Sequence, residues 1–181
     1  MTPRNPSAPS QRFAILLGAS ALLLAASLFV SLSASAAPQE KKEQPKLQAS
    51  AIQVLRTNPS DTLTMPEDFR VALYEHVIQE LENTKKFQKV FRDGDRTAEA
   101  VPDIVVLKIS PVIYKAGSQK EREVTTIKGA TDIKVNLLFS KRDGTVVLEQ
   151  PVEGKVRFYG ENLAATKDVA KKIAALVKER F

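Results

Sequence analysis

The sequence contains no cysteine and no tryptophan, and it contains a single histidine. The absence of cysteine excludes disulfide bonds, thiolate metal ligands, a cysteine nucleophile and a lipid-modified N-terminal cysteine. One histidine also excludes a metal site built from several imidazoles. Neither a phosphate-binding Gly-x-x-x-x-Gly-Lys loop nor a dinucleotide-binding Gly-x-Gly-x-x-Gly turn occurs among the seven glycines. The sequence therefore predicts no cofactor and no metal, and it identifies no catalytic residue.

Charge is missing from a long N-terminal stretch, residues 13–32. Arg4 and Arg12 precede this apolar run, and small residues follow it up to Ala36. A basic start, an apolar run and a small-x-small end are typical of a secretory signal peptide. A run of about 20 apolar residues is also long enough to form a helix that spans a bilayer. Residues 1–36 are therefore predicted to be a cleaved signal peptide or a retained membrane anchor.

Both alternatives place the remainder of the chain outside the cytoplasm, because Arg4 and Arg12 stay on the inner side of the membrane. The predicted location is periplasmic or secreted, or anchored in the inner membrane through residues 13–32. The next segment, residues 37–50, contains two prolines and few apolar residues, so it is predicted to be a disordered linker. Residues 51–181 are then long enough for one ordinary domain.

The domain shows the pattern of an α+β fold with the element order β-α-β-β-β-β-α. A capping box formed by Thr64 and Glu67 predicts the start of the first helix, which continues to about Asn83. The last helix is predicted to begin at Asn162, a favourable N-cap residue. Strands are predicted at residues 51–56, 87–91, 103–115, 124–139 and 145–159. We expect a mainly antiparallel sheet of about five strands with two helices on one face, preceded by the N-terminal hydrophobic helix.

The only imidazole, that of His76, falls on the first predicted helix. On a helical wheel it lies in the polar arc beside Gln79 and Glu80, whereas Val71 and Leu73 fall in the apolar arc. The position therefore predicts an exposed surface histidine rather than a general base.

Two acidic motifs are candidates for chemistry. Asp93-Gly94-Asp95 resembles the start of a calcium loop, but Ile104 occupies the position where a bidentate glutamate is needed. These carboxylates are therefore interpreted as turn residues. Glu121 and Glu123 are interpreted as a charged strand start or hairpin tip. Because two carboxylates can meet in a fold, a small envelope hydrolase stays open as an alternative.

The net charge of +6 and the pI of about 9.5 raise the question of an anionic partner. Nucleic acid is not predicted, because the aromatic residues occupy apolar positions and do not alternate with basic ones. The final helix carries a basic face formed by Lys167, Lys171, Lys172 and Lys178. This pattern favours an ordinary core-packing helix, and a peripheral anionic-lipid-binding domain is an alternative.

Several segments of the domain carry a family resemblance. They are Asp103-Ile104-Val105-Val106-Leu107, the Gly117-to-Arg122 turn, Ile133-Lys134-Val135-Asn136-Leu137, Asp143-Gly144-Thr145-Val146-Val147-Leu148-Glu149, and the helix-to-strand passage that ends in Phe87-Gln88-Lys89-Val90. Through them the chain resembles a family of bacterial envelope proteins that carry a domain of unknown function. Its layout is also similar to the amino-terminal domain of TolB and to the curli-secretion lipoprotein domain.

This resemblance implies a non-enzymatic envelope domain that acts through contacts with an envelope protein partner or as a homo-oligomer. Many members of the family look like lipoproteins with a cysteine after the signal, and this chain has none. Binding through the sheet edge or through the open sheet face is expected, by strand addition or by apolar contact.

Overall fold

The computed structural model describes residues 46–57, 63–125, 128–157 and 160–181. The predicted signal peptide or anchor and the linker up to residue 45 lie outside these residues. The elements in chain order are β1 (Ala51–Val54), α1 (Glu67–Thr84), β2 (Lys89–Phe91), a 3₁₀ helix (Arg96–Ala100), β3 (Ile104–Lys115), α2 (Gln119–Val124), β4 (Thr131–Lys141), β5 (Val146–Val156) and α3 (Ala164–Arg180). Among the described residues, no helix combines the length and the apolar character needed to cross a membrane.

The five strands form one sheet in the order β2-β1-β3-β4-β5. β1 pairs in parallel with both β2 and β3, whereas β3, β4 and β5 form an antiparallel meander. The predicted α+β class and the central position of β3 are confirmed. The sheet is mainly antiparallel, as predicted. It also has a parallel part that the sequence did not predict, because α1 connects β1 to β2 as a crossover, and such a connection joins parallel strands.

The main core lies between one face of the sheet and the two long helices, α1 and α3. The predicted alternation of β4 is confirmed, since the side chains that face the helices are fully buried: Ile133, Val135, Leu137 and Phe139. β5 comes so close to α3 at Gly154 that a Cβ atom there would lie 2.6 Å from the carbonyl oxygen of Ala165. The two helices therefore cover one face, as the sequence predicts.

The opposite face of the sheet is covered only at its parallel end. There the 3₁₀ helix brings Ala98 onto a small buried cluster with Ala51, Phe91 and Ile104. Along the antiparallel strands the same face carries exposed or half-buried side chains, among them Lys108, Ser110, Asn136, Leu138 and Glu149. The parallel half is thus covered on both faces and the antiparallel half on one.

The capping box predicted at the start of α1 is wrong. Pro66 is the N-cap residue and no side chain caps the helix, because Thr64 lies two residues too early to take that place. The side chain of Glu67 pairs with Arg70 instead. Val71, predicted in the apolar arc, is 52% exposed. Phe69, two residues earlier and about 200° away around the helix, faces the core in its place.

The fourth strand begins later than predicted. Val124 belongs to α2, and β4 starts at Thr131. The hydroxyl of Ser118 accepts a hydrogen bond from the backbone N–H of Glu121 at 3.2 Å and so favours a helical turn here. The buried guanidinium of Arg122 then donates to the carbonyl oxygens of Gly129 at 2.5 Å and Gly160 at 2.7 Å. Both carbonyl bonds fix α2 against the neighbouring loops.

Asn162 is not the N-cap of α3, which begins at Ala164 after Leu163. Its side-chain amide donates to the carbonyl oxygen of Gly117 at 3.1 Å and its Oδ1 atom accepts from Thr131 Oγ1 at 3.1 Å. Because the side chain joins two other segments, it cannot also cap the helix.

The described part of the predicted linker, residues 46–50, is bonded to the domain. The backbone N–H of Leu47 donates to the carbonyl oxygen of Arg180 at 2.7 Å. Ser50 donates through its N–H to Asp103 Oδ2 at 3.1 Å and through its hydroxyl to the carbonyl oxygen of Asp103 at 2.8 Å. These bonds attach residues 46–50 to the domain, so the disorder predicted for this part of the linker is wrong.

Candidate functional site

A groove of about 380 Å³ opens at the carboxyl ends of the two parallel strands β1 and β2, next to the first turns of α1. It is lined by Arg56, Thr57, Glu67, Arg70, Val71, Tyr74, Glu75, Arg92 and Asp93. The fold brings these residues together because β1 and β2 run in the same direction and end at the same edge of the sheet. Crevices at the carboxyl ends of parallel strands are the usual ligand sites of open sheets that contain them.

The carboxylates of the groove all have partners. Arg92 donates two hydrogen bonds to Glu75, at 2.6 and 2.7 Å. These hydrogen bonds lower the pKa of the Glu75 carboxyl group. Glu67 pairs with Arg70. Asp93 Oδ2 accepts from the backbone N–H of Arg56 at 3.2 Å. The acidic groups are therefore engaged in ion pairs and backbone hydrogen bonds.

Two polar groups of the groove are buried and have no hydrogen-bond partner: Thr57 Oγ1 and Arg70 Nε. Thr57 is only 5% exposed. The guanidinium group of Arg56 is exposed and forms no hydrogen bond or ion pair within the described part of the chain. Buried polar atoms in native proteins nearly always have a partner, so these exceptions mark the groove as a candidate binding site.

His76 lies on α1, on the side that contacts α3, and it is half-buried. The prediction of an exposed histidine is therefore wrong. Its Nδ1 atom is 2.8 Å from Thr166 Oγ1. That hydroxyl already donates its only proton to the carbonyl oxygen of Leu163, at 2.7 Å, so Nδ1 is the donor to it. Burial, followed by the nearby charge of Lys167, lowers the pKa of His76, and the opposing effect of Glu80 is smaller.

The acidic candidates have structural partners. Asp95 accepts hydrogen bonds from the backbone N–H and the hydroxyl of Thr97, at 2.9 and 2.6 Å, and caps the 3₁₀ helix. Glu121 and Glu123 lie on α2 rather than at a strand start. They are two residues apart on a helix and so point in different directions. Within the described ranges no cluster of metal-ligating side chains could hold a metal ion.

The basic face of α3 is solvent-exposed, as predicted, but one lysine has a specific role at the edge of the sheet. Lys172 Nζ donates to the carbonyl oxygen of Glu153 at 2.7 Å and to Asp168 Oδ2 at 2.9 Å. Asp168 Oδ2 also accepts from the backbone N–H of Lys155 at 2.9 Å. Two side chains of α3 thus occupy backbone groups on the free edge of β5.

Pro151 has the same orientation on β5 as residues 153 and 155, because the register with β4 is continuous between them. It has no N–H to offer to an added strand. This half of the edge is therefore closed to the strand addition that the sequence suggests, and the opposite edge strand, β2, has only three residues.

The open face of the antiparallel half carries charged and apolar side chains side by side. Cross-strand rows place Lys108 beside Leu138 and Glu149, and Ile113 beside Lys134 and Glu153. Ile113 is 49% exposed and its neighbour Val112 is 40% exposed. Positive, negative and apolar groups are therefore interleaved on one flat surface.

Of the residues that line the groove, the sequence pattern singled out only Asp93 as a candidate for chemistry, in the possible calcium loop. Arg56 lies two residues after the end of β1 and Arg92 lies directly after β2, and this repetition is the signal that was present. Its meaning depends on the parallel pairing of the two strands, which the sequence pattern did not predict.

The described residues form an α+β domain with a mixed five-stranded sheet, and solved structures of several bacterial proteins share this fold. No family model matches the sequence, and no curated protein matches it. The PelC dodecamer of Paraburkholderia phytofirmans has a similar structure, with a TM-score of 0.55 and 11% identity over 76% of this chain and 94% of that chain.

Two further solved structures share the fold. Protein XCC0632 of Xanthomonas campestris, a member of the domain-of-unknown-function family DUF330, has a TM-score of 0.50 and 14% identity over 74% of this chain and 84% of that chain. Protein CT253 of Chlamydia trachomatis has a TM-score of 0.51 and 10% identity over 74% of this chain and 98% of that chain. At these identities the likeness shows the fold alone.

Proposed function

We propose that this chain is a non-enzymatic, exported domain of the bacterial envelope that assembles with further copies of itself. The observation that carries the proposal is the open face of the antiparallel half. Its interleaved lysines, glutamates and apolar side chains are self-complementary, because a charge of either sign finds its opposite on a second copy. The similar fold of PelC, which is a dodecamer, supports self-assembly over an unrelated envelope partner.

The direction of the pKa shifts of the acidic groups supports a non-enzymatic role. Where a carboxyl group of the described residues has a shifted pKa, the pKa is lowered: Glu75, Asp95, Asp143 and Glu153. Each shift results first from a hydrogen bond with a neighbouring side chain or backbone group. A carboxyl that acts as a general acid needs a raised pKa, so these groups suit ion pairs and turns better than the alternative of a small hydrolase.

Export is supported by the pattern of residues 1–36, in which a basic start is followed by an apolar run and a small-x-small end. Intact mass of the protein recovered from bacterial envelope fractions tests it. A chain that starts at Ala37 would establish a cleaved signal peptide, and a full-length chain in the membrane fraction would establish an anchor. A full-length chain in the cytosol would contradict export.

Self-assembly is tested by light scattering of the purified full chain over a range of concentrations. We expect a discrete oligomer that Leu138→Glu dissociates, because a buried carboxylate would then face the apolar part of the open face. Val124→Glu is the matched control, since Val124 is 80% exposed on α2 and lies away from that face. A monomer at every concentration would contradict the proposal, and equal dissociation by both variants would place the interface elsewhere.

A further inference from the structure

We propose that the groove at the carboxyl ends of β1 and β2 binds an oxyanion, the carboxylate or phosphate group of a small ligand. The inference is independent of self-assembly, because the groove lies at the parallel end of the sheet and the open face belongs to the antiparallel half.

The first argument comes from the two unpartnered donors. Thr57 Oγ1 and Arg70 Nε are both buried and both line the groove. A buried donor without an acceptor destabilises the folded state unless a water or a ligand accepts its hydrogen bond. An oxyanion offers several acceptor oxygens, so it can accept from the threonine hydroxyl and the guanidinium group together.

The second argument comes from the balance of charge in the groove. Among the described residues that line it, three are arginines and three are acids, but they are not equally engaged. Glu75 and Glu67 are paired with arginines, and Asp93 accepts from a backbone N–H. The Arg56 guanidinium and the two buried donors have no such partners. The groups that remain for a ligand are therefore donors, and the ligand must supply acceptors.

The third argument concerns the size of the ligand. The volume of about 380 Å³ lies in the range of small-molecule sites. Val71, exposed on α1, and the ring of Tyr74 give the groove an apolar wall beside the donors. This combination suits a small organic anion better than a free inorganic ion.

The proposal is tested by titrating the full chain with three probes while the Nε–H resonance of Arg70 and the backbone amide of Thr57 are followed by NMR. The probes are inorganic phosphate, succinate and the neutral analogue succinamide. We expect saturable shifts with at least one anion and none with succinamide. Shifts with phosphate alone would assign a phosphate group, and shifts with succinate alone a carboxylate. No shift with either anion, or equal shifts with succinamide, would overturn the proposal.

Three variants test which residues bind the anion. Thr57→Val keeps the volume of the side chain and removes the hydroxyl, and Arg70→Lys keeps the charge and removes the Nε–H. Each is expected to weaken binding about tenfold. The third variant, Arg56→Gln, removes the charge of the exposed arginine in the groove. Its matched control is Arg96→Gln, because Arg96 is an exposed arginine on the 3₁₀ helix and does not line the groove. Equal weakening by these last two variants would mean unspecific charge attraction and would overturn the proposal.

Discussion

The two halves of the sheet differ in how they are covered and in what they leave exposed. The parallel half consists of short strands with apolar clusters on both faces, and its uncovered part is a groove where the strands end. The antiparallel half consists of strands of 11 and 12 residues, with helices on one face and an open face opposite. The difference separates two kinds of surface in one small domain: a groove at the ends of the parallel strands and an open face on the antiparallel strands.

The largest expected effect compares the cores of the two halves. Phe139 in the main core and Phe91 in the small cluster are 0% and 2% exposed. Phe139→Ala should lower the free energy of unfolding by about 3–5 kcal/mol, and Phe91→Ala should cost about 3 kcal/mol because its cluster is smaller. Urea unfolding followed by circular dichroism measures both. If Phe91→Ala leaves the transition unchanged, the two halves do not unfold as one unit.

The next largest effect is expected for a substitution at the contact between α3 and β5. Gly154→Ala places a Cβ atom 2.6 Å from the carbonyl oxygen of Ala165 and 2.7 Å from the backbone nitrogen of Val169. Backbone atoms of a helix cannot move aside separately, so we expect a loss of about 1–3 kcal/mol in urea unfolding.

Gly94→Ala is the comparison for this substitution, because no atom lies within 4 Å of its added Cβ. Its φ of +76° still costs about 1 kcal/mol for an L-residue. A Gly154→Ala protein as stable as the Gly94→Ala protein would show that α3 is less closely packed on β5 than described.

A smaller effect concerns the free edge of the antiparallel half. Asp168→Ala removes the acceptor of the Lys155 N–H and one partner of Lys172. We expect a loss of about 1 kcal/mol in the free energy of unfolding and a greater tendency to associate through β5. Light scattering near the unfolding midpoint measures the association. Asp168→Asn keeps an acceptor and should behave like the unchanged protein, and association of both variants alike would contradict the edge-capping role.

The smallest effect concerns the hydrogen bond between His76 on α1 and Thr166 on α3. Because the pKa of His76 is lowered in the folded protein, the unfolded chain takes up the proton first as the pH falls below about 6.5. The contribution of His76 to stability is therefore complete above that pH and decreases as the pH falls towards the folded pKa.

Urea unfolding between pH 5.5 and 7.5 measures this dependence, and no other imidazole exists to obscure it. His76→Gln should flatten the pH dependence in this range. An unchanged slope in that variant would mean that other groups cause it. The lowered pKa values of Glu75 and Glu153 act at more acidic pH, since carboxyl groups titrate there.

The antiparallel half was predictable because its signals are local. In β4 every second residue from Ile133 to Phe139 is apolar, and the turn before β5 contains Gly144 with a φ of +87°. Alternation and a hairpin turn together determine which strands pair and which face is buried. The sequence pattern therefore predicted the meander and its buried face correctly.

The parallel half was less predictable because its contacts join distant segments. Nothing within Ala51–Val54 indicates that it pairs in parallel with two strands that follow much later. The position of His76 depends on Thr166, ninety residues away. The groove was missed for the same reason, since Arg70 and Thr57 become neighbours in space only through the crossover.

The attachment of residues 46–50 also determines how the domain would carry a mechanical load. Tension applied through this segment first breaks the bonds from Leu47 to Arg180 and from Ser50 to Asp103. The force then reaches β1, which is held on both sides by β2 and β3. Because β1 is an inner strand, it can leave the sheet only by breaking its hydrogen bonds to both neighbours. A force applied through residues 46–50 is therefore carried by β1 and shared between its neighbours β2 and β3.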